Sequence, residues 1–218
     1  MPRHTVDTTV YVDPRGRTVD AMGDLLQNGT NHSTRHASVL KLWHATIKAA
    51  YGSSGVRLED KHHACYSTTQ PDIVRLNGRS PGKHAIYEQK VVCPISTGQA
   101  GTGEAGARAA FGNTASHWRG IINGDYAHAL SHGHSVHAII HETFGGFGAE
   151  AVKLLYELGR RHGSRLGVDE AAAPWCARSF RSLHSLKISI ALHTAAASEI
   201  LETAQADAAA EAATCSES

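Results

Sequence analysis

The chain has 218 residues, a length that fits one domain with room for a short appendage. Its 21 Lys and Arg side chains nearly balance 20 Asp and Glu side chains, so bulk charge does not favour nucleic acid and such binding would need a local basic patch. No apolar run reaches the roughly 18 residues of a membrane span, no signal peptide precedes the polar start, and the four Cys are too scattered for a disulfide scaffold. We expect a soluble, intracellular protein, nuclear or cytoplasmic, with no membrane partner.

The first half of the chain predicts a polar segment followed by one amphipathic helix. Residues 1–35 are polar and rich in turn-forming types. In the stretch 36–51, Val39, Trp43 and Ile47 recur at helical spacing, which indicates a helix that buries one face.

Strand-like sequence comes next. The segment 64–67 is a weak strand candidate, whereas 72–76 and 84–92 are rich in β-branched residues and predict strands. The turn-rich segment 77–83 between them predicts a hairpin loop. Residues 93–113 are rich in Gly and Ala and are interpreted as a loop.

The second half predicts a helix, a buried strand, two further helices and a flexible tail, over residues 114–132, 136–143, 149–162, 175–204 and 205–218. In the helix 149–162 we expect Val152, Leu155 and Leu158 to face inward. This order of elements predicts an α/β fold in which helices flank a mixed β-sheet.

Three charged residues lie in the two best strands. Asp72 follows Pro71 at the start of one strand, and Glu88 and Lys90 share a face of the next strand because side chains alternate with period two. A hairpin brings Asp72 beside them. Two converging carboxylates suit Mg²⁺, and a nearby Lys can orient water and stabilise charge on phosphorus. A Glu-x-Lys pair alone is more often a surface ion pair. The ordered combination of Pro71-Asp72 in one strand with Glu88 and Lys90 in the next favours a catalytic metal site.

The segment from Pro71-Asp72 to Glu88-Gln89-Lys90 resembles the signature of the PD-(D/E)XK nuclease superfamily. The resemblance implies a restriction-endonuclease-like fold and a core of helix, three strands, helix and strand. It also implies metal-dependent DNA cleavage, of a kind that serves mobile elements or repair. Asp72 and Glu88 would bind Mg²⁺, which Mn²⁺ can replace, and Lys90 would assist the attacking water.

This resemblance also divides the chain and leaves one role open. Residues 36–165 would form the nuclease core and 166–204 a helical C-terminal extension. Many family members carry an acidic residue in the first helix, but residues 36–51 contain none. That role is vacant, or it falls to Glu59, Asp60 or a His.

Basic residues beside the predicted hairpin are candidates for DNA contact. Arg75, Arg79 and Lys83 flank it and could neutralise phosphates. The alternative is that they lie on a solvated face. We also expect that two copies of the chain can form a homodimer.

Other patterns leave different functions open. Residues 101–106 match Gly-x-Gly-x-x-Gly, which in another setting binds a dinucleotide, although the motif arises easily in a Gly-rich chain. His62, His63, Cys65 and Cys93 could bind a metal, as could five His between 128 and 141, but neither set has typical zinc spacing. The main alternative to a nuclease is a nucleic-acid-binding or assembly module of the same fold with a decayed site.

Overall fold

The computed structural model describes residues 11–12, 18–19, 32–59, 70–92, 103–143, 145–163 and 178–216. The elements in this part of the chain are, in order, β1 (Tyr11–Val12), β2 (Thr18–Val19), α1 (His32–Tyr51), β3 (Val56–Leu58), β4 (Ile73–Ser80), β5 (Lys83–Val92), α2 (Gly103–Asp125), α3 (Ala127–Ser131), β6 (Ser135–Glu142), α4 (Ala149–His162) and α5 (Phe180–Ser216). Strands β1 and β2 pair with each other as a short antiparallel ladder.

The central feature is a four-stranded mixed sheet with the strand order β3-β4-β5-β6. The pairs β3/β4 and β4/β5 are antiparallel, and β5/β6 is parallel. A parallel pair of neighbouring strands needs a crossover connection, which here contains α2. The predicted α/β class, a mixed sheet flanked by helices, is therefore confirmed.

Helices α1, α4 and α5 cover one face of the sheet. Val39, Trp43 and Ile47 of α1 are fully buried, as their helical spacing predicts. They share one apolar cluster with Tyr87 of β5 and Phe180 of α5. The C-terminal helix, expected as an extension, thus packs into the same core as the first long helix.

Helices α2 and α3 cover the opposite face. Ile122 and Tyr126, at the end of α2 and directly after it, pack against Val74 and Ile86 in a second cluster. Alternation along β5 places Ile86, Glu88 and the other even-numbered side chains on this face, whereas the odd-numbered ones face α1. Glu88 and Lys90 therefore lie on the face that α2 and α3 cover, and the sheet separates them from side chains that face α1.

The predicted hairpin loop 77–83 is wrong in extent. Strand β4 continues to Ser80 and β5 begins at Lys83, so only Pro81 and Gly82 form the turn. Gly82 has a φ of +76°, a conformation that favours glycine. Its N–H donates to the side chain of Asn77 at 2.8 Å, which stabilises the tight turn.

The interpretation of residues 93–113 as a loop is also wrong for their second half, because α2 begins at Gly103. The Ala-rich composition of this stretch favours a helix more than its glycines oppose one. The predicted helix 114–132 is in fact the end of α2 followed by α3, with a break at Tyr126.

The structure differs from the sequence predictions in three smaller respects. Strand β3 was not predicted, whereas the weak candidate 64–67 lies outside the described residues. Val152 is 39% exposed, because Ala151, Leu154 and Leu155 form the buried stripe of α4 instead. Helix α5 continues through the predicted flexible tail to Ser216, as its run of Ala allows.

None of the helices in the described part of the chain combines the length and apolar character that crossing a membrane requires.

A buried hydrogen bond joins α1 to the sheet. The indole Nε1 of Trp43 donates to Nε2 of His141 in β6 at 2.7 Å, and both side chains are fully buried. The edge of the His141 ring also meets Phe147. Burial lowers the pKa of His141 to about 3, although a contact with the backbone of Gly146 opposes this shift. The imidazole is therefore neutral in the folded protein near pH 7.

We predict that His141 makes the protein sensitive to acid. The unfolded chain protonates this group near pH 6.5, and the folded protein does so only near pH 3. The stability contribution is therefore complete above pH 6.5 and falls by about 1.4 kcal/mol per pH unit as the pH decreases toward 3. His141→Gln keeps an acceptor for Trp43 and should flatten this dependence by one proton, as measured by urea unfolding from pH 4.5 to 7.5. The exposed His128→Gln serves as the control; an unchanged slope for His141→Gln would contradict the prediction.

Candidate functional site

Asp72 sits at the junction of three elements. It directly precedes β4, and the β4/β5 register, which pairs Ile73 with Tyr87, brings Asp72 next to Glu88. Its Oδ2 accepts a hydrogen bond from the backbone N–H of Gln89 at 2.7 Å. Its Oδ1 lies 3.2 Å from Nε2 of His36 in the first turn of α1. The carboxylate is 9% exposed and is therefore held in place by strand and helix alike.

Glu88 is the second buried carboxylate of the cluster. It is 6% exposed, its Oε2 accepts a hydrogen bond from the Tyr126 hydroxyl at 2.9 Å, and its Oε1 pairs with Lys90 at the same distance. Burial raises the pKa of Glu88, and the charge of Asp72 raises it further, while Lys90 and Tyr126 oppose the shift. The carboxylates of Asp72 and Glu88 are therefore close together in a buried environment, where their negative charges repel each other.

Lys90 supplies the positive charge of the cluster. It shares a sheet face with Glu88, as the sequence predicts, and its side chain is 33% exposed. Burial lowers the pKa of Lys90, but the charges of Glu88 and Asp72 and the hydrogen bond that Lys90 donates to Glu88 outweigh it and leave the pKa raised. The ammonium group is therefore charged at neutral pH and reaches solvent beside two buried carboxylates.

His36 and Tyr126 are functional candidates that the strand motif does not identify. His36 lies in the first helix, where the resemblance implies an acidic residue, and its pKa is raised, first by its hydrogen bond to Asp72. The sequence left a His as one option for this role. Tyr126 carries no motif, and only the packing of α2 on the sheet brings it to Glu88. Burial and the Glu88 charge raise its pKa.

Two of the three residues proposed for DNA contact, Arg75 and Lys83, lie apart from each other and from Lys90. The guanidinium of Arg75 lies on the other face of the sheet, against the ring of Tyr51. Lys83 begins β5 seven residues before Lys90, which is roughly 23 Å of strand, and its Nζ donates to the carbonyl of His132. Arg79 lies near the far end of β4. The role of all three residues in DNA binding stays a prediction, but Arg75 and Lys83 form no single patch with the carboxylates.

A groove of about 490 Å³ lies one strand away from Glu88 and Lys90. Its floor includes Ala138 and Ile140 of β6, which the parallel register pairs with Glu88 and Lys90. Arg119 of α2 also lines it and donates hydrogen bonds to the carbonyl of Val136 and to Glu150. The carboxylate cluster therefore borders an open space along the edge strand.

The other predicted metal candidates do not assemble. Among the residues that the structure describes, no three His, Cys, Asp or Glu side chains form a group able to hold a metal. The rings of His128 and His132 contact each other at a tilt, and the three later His lie against other rings, namely His134 against His84, His137 against Tyr87 and His141 against Trp43. The candidates His62, His63, Cys65 and Cys93 lie outside the described residues.

The Gly-x-Gly-x-x-Gly motif begins outside the described residues, and its second and third glycines, Gly103 and Gly106, lie in the first turn of α2. Ten undescribed residues separate β5 from this helix, whereas a dinucleotide site has its glycine turn directly after the strand. The motif therefore does not form that kind of site with β5.

No protein-family model, no curated protein and no solved structure matches this chain.

We predict that the hydrogen bond from the Tyr126 hydroxyl to Glu88 stabilises the folded protein. Tyr126→Phe keeps the buried ring but removes the donor to a charged acceptor, which should lower the free energy of unfolding by about 1–3 kcal/mol. Urea denaturation near pH 7 measures this loss. Tyr156→Phe is the matched control, because Tyr156 is 56% exposed. Equal effects of the two substitutions would show that the hydrogen bond to Glu88 stabilises nothing.

Proposed function

We propose that this protein is a metal-dependent nuclease that hydrolyses phosphodiester bonds in DNA, with Asp72, Glu88 and Lys90 at its active centre. The observation that carries the proposal is the cluster itself, in which two buried carboxylates and one ammonium group meet on one face of the sheet. Burying such groups costs free energy, and a site that uses them accounts for their presence.

The chemistry of the donors fits Mg²⁺. This ion binds oxygen ligands and commonly takes only one or two carboxylates from the protein, with water and substrate phosphate completing its shell. Asp72 and Glu88 would provide those carboxylates, and a divalent cation would relieve the repulsion that raises the pKa of Glu88. When bound, Mg²⁺, or Mn²⁺ in its place, would polarise the phosphate and make water a better nucleophile.

The protein's own groups would act around that reaction. The Lys90 ammonium would exchange its contact with Glu88 for one with the phosphate or the attacking water, and would stabilise negative charge that develops on phosphorus. His36 and the N–H of Gln89 would keep Asp72 oriented. Tyr126 would do the same for Glu88. The groove along β6 would provide room for the nucleic acid strand.

The fold agrees with the resemblance in the order of its elements. Helix α1, strands β3 to β5, helix α2 and strand β6 follow the order of helix, three strands, helix and strand that the PD-(D/E)XK resemblance implies. We therefore propose a restriction-endonuclease-like core for this α/β domain. Participation in mobile elements or repair, and a homodimeric state, are further parts of the same proposal.

A cleavage assay tests the nuclease proposal. Supercoiled, linear and single-stranded DNA are incubated with the protein and Mg²⁺, Mn²⁺ or EDTA. We expect metal-dependent cleavage, reduced at least a hundredfold by Lys90→Ala and by Glu88→Gln. Lys153→Ala, on an exposed position of α4, is the matched control and should cleave normally. Failure of the folded wild-type protein to cut any of these substrates would reject the proposal.

A second candidate is a nucleic-acid-binding or assembly module whose catalytic site has decayed. The observation that favours it is that each carboxylate oxygen of Asp72 and Glu88 already contacts a protein group. In this case Lys90 neutralises the cluster and no metal is needed. Such a module would bind DNA equally well in EDTA and would not cleave it, whereas a nuclease would require the metal for cleavage.

A further inference from the structure

A polar pocket lies on the face of the sheet away from the carboxylate cluster. It has a volume of about 370 Å³, within the roughly 300–1,000 Å³ typical of small-ligand sites. Five parts of the fold contribute to it: the end of α1, the turn that follows, the start of β3, strand β4 and the end of α4. Its lining includes Tyr51, Ser54, Arg75, Asn77 and Arg161, and no acidic residue.

Two guanidinium groups line this pocket, and both contact the ring of Tyr51. Arg75 lies 3.9 Å and Arg161 4.6 Å from the centre of the Tyr51 ring. Nε of Arg75 also lies 3.4 Å from the Tyr87 hydroxyl, which helps to fix its position. Neither guanidinium forms an ion pair with any residue in the described part of the chain. Two like charges are therefore held near one aromatic ring without a carboxylate between them.

Compensation of helix dipoles does not account for both charges. Helices α1 and α4 end at this pocket, and each C-terminal end carries about half a negative charge. Two guanidinium groups carry two full positive charges, which the partial charges of the two helix ends and the carboxylate of Glu157, acting on the Tyr87 side chain without an ion pair to either arginine, offset only from a distance. An anion that binds in the pocket would reduce the repulsion between the two arginines.

We propose that the pocket formed by Arg75 and Arg161 binds a phosphate group. Guanidinium groups match phosphate oxygens in a two-pronged geometry, and charge-assisted hydrogen bonds of this kind are strong. The phosphate could belong to a nucleic acid strand or to a small phosphorylated molecule, since both present the same oxygens. Because the pocket and the carboxylate cluster lie on opposite faces of the sheet, this site is separate from the proposed active centre.

The test measures binding by isothermal titration calorimetry at low ionic strength in EDTA, so that its outcome is independent of metal-dependent cleavage. The probes are inorganic phosphate and a short oligothymidine. Arg161→Gln removes an exposed side chain whose contact is with Tyr51, so it should fold normally, and it should weaken binding about tenfold or more. Arg160→Gln removes the same charge one residue away, outside the pocket, and should change affinity less than twofold.

The two probes distinguish the sources of the phosphate. Tighter binding of oligothymidine than of phosphate, with the same loss in Arg161→Gln, would indicate a nucleic acid strand. Binding of phosphate that is at least as tight would indicate a small phosphorylated ligand. The proposal is overturned if the wild-type protein binds neither probe, or if Arg160→Gln and Arg161→Gln weaken binding equally.

Discussion

The carboxylate of Asp72 is the contact on which the candidate site depends. It accepts a hydrogen bond from the β5 backbone at Gln89 and contacts His36 of α1, so one side chain fixes the positions of a helix and two strands. The backbone contact also places Glu88 and Lys90, the two neighbours of Gln89, beside Asp72. Without a partner in this buried place, the carboxylate would carry a large desolvation cost. The local fold and the electrostatics of the site therefore depend on each other.

The sheet gives the protein two chemically different sides. Asp72, before β4, forms a cluster with the even-numbered β5 residues Glu88 and Lys90, which face α2 and α3, whereas Arg75 of β4 faces α1 and α4. One side pairs negative groups with a single ammonium, and the other leaves two guanidinium groups without a carboxylate. The two environments would suit different ligands, a divalent cation on one side and a phosphate group on the other.

The sequence predicted those features that follow from periodicity and predicted less well those that depend on packing. The inward face of α1 and the shared face of Glu88 and Lys90 follow from spacings of 3.6 and 2 residues. The start of α2 does not follow from such a spacing. Ala favours a helix and Gly disfavours one, so tertiary contacts decide where the helix begins. Tyr126 could not be assigned to Glu88, and Arg75 could not be assigned to Tyr51, since each pair joins elements distant in the chain.

The most direct test of the account is to locate a metal by diffraction. Crystals grown in the presence of Mn²⁺ would be measured at a wavelength where manganese scatters anomalously. If Asp72 and Glu88 bind the metal, we expect an anomalous peak between their carboxylates, with the Lys90 ammonium displaced from its contact with Glu88. An ordered site with the Lys90–Glu88 ion pair intact and no manganese peak, at a concentration that saturates known Mn²⁺ sites of two carboxylates, would contradict it.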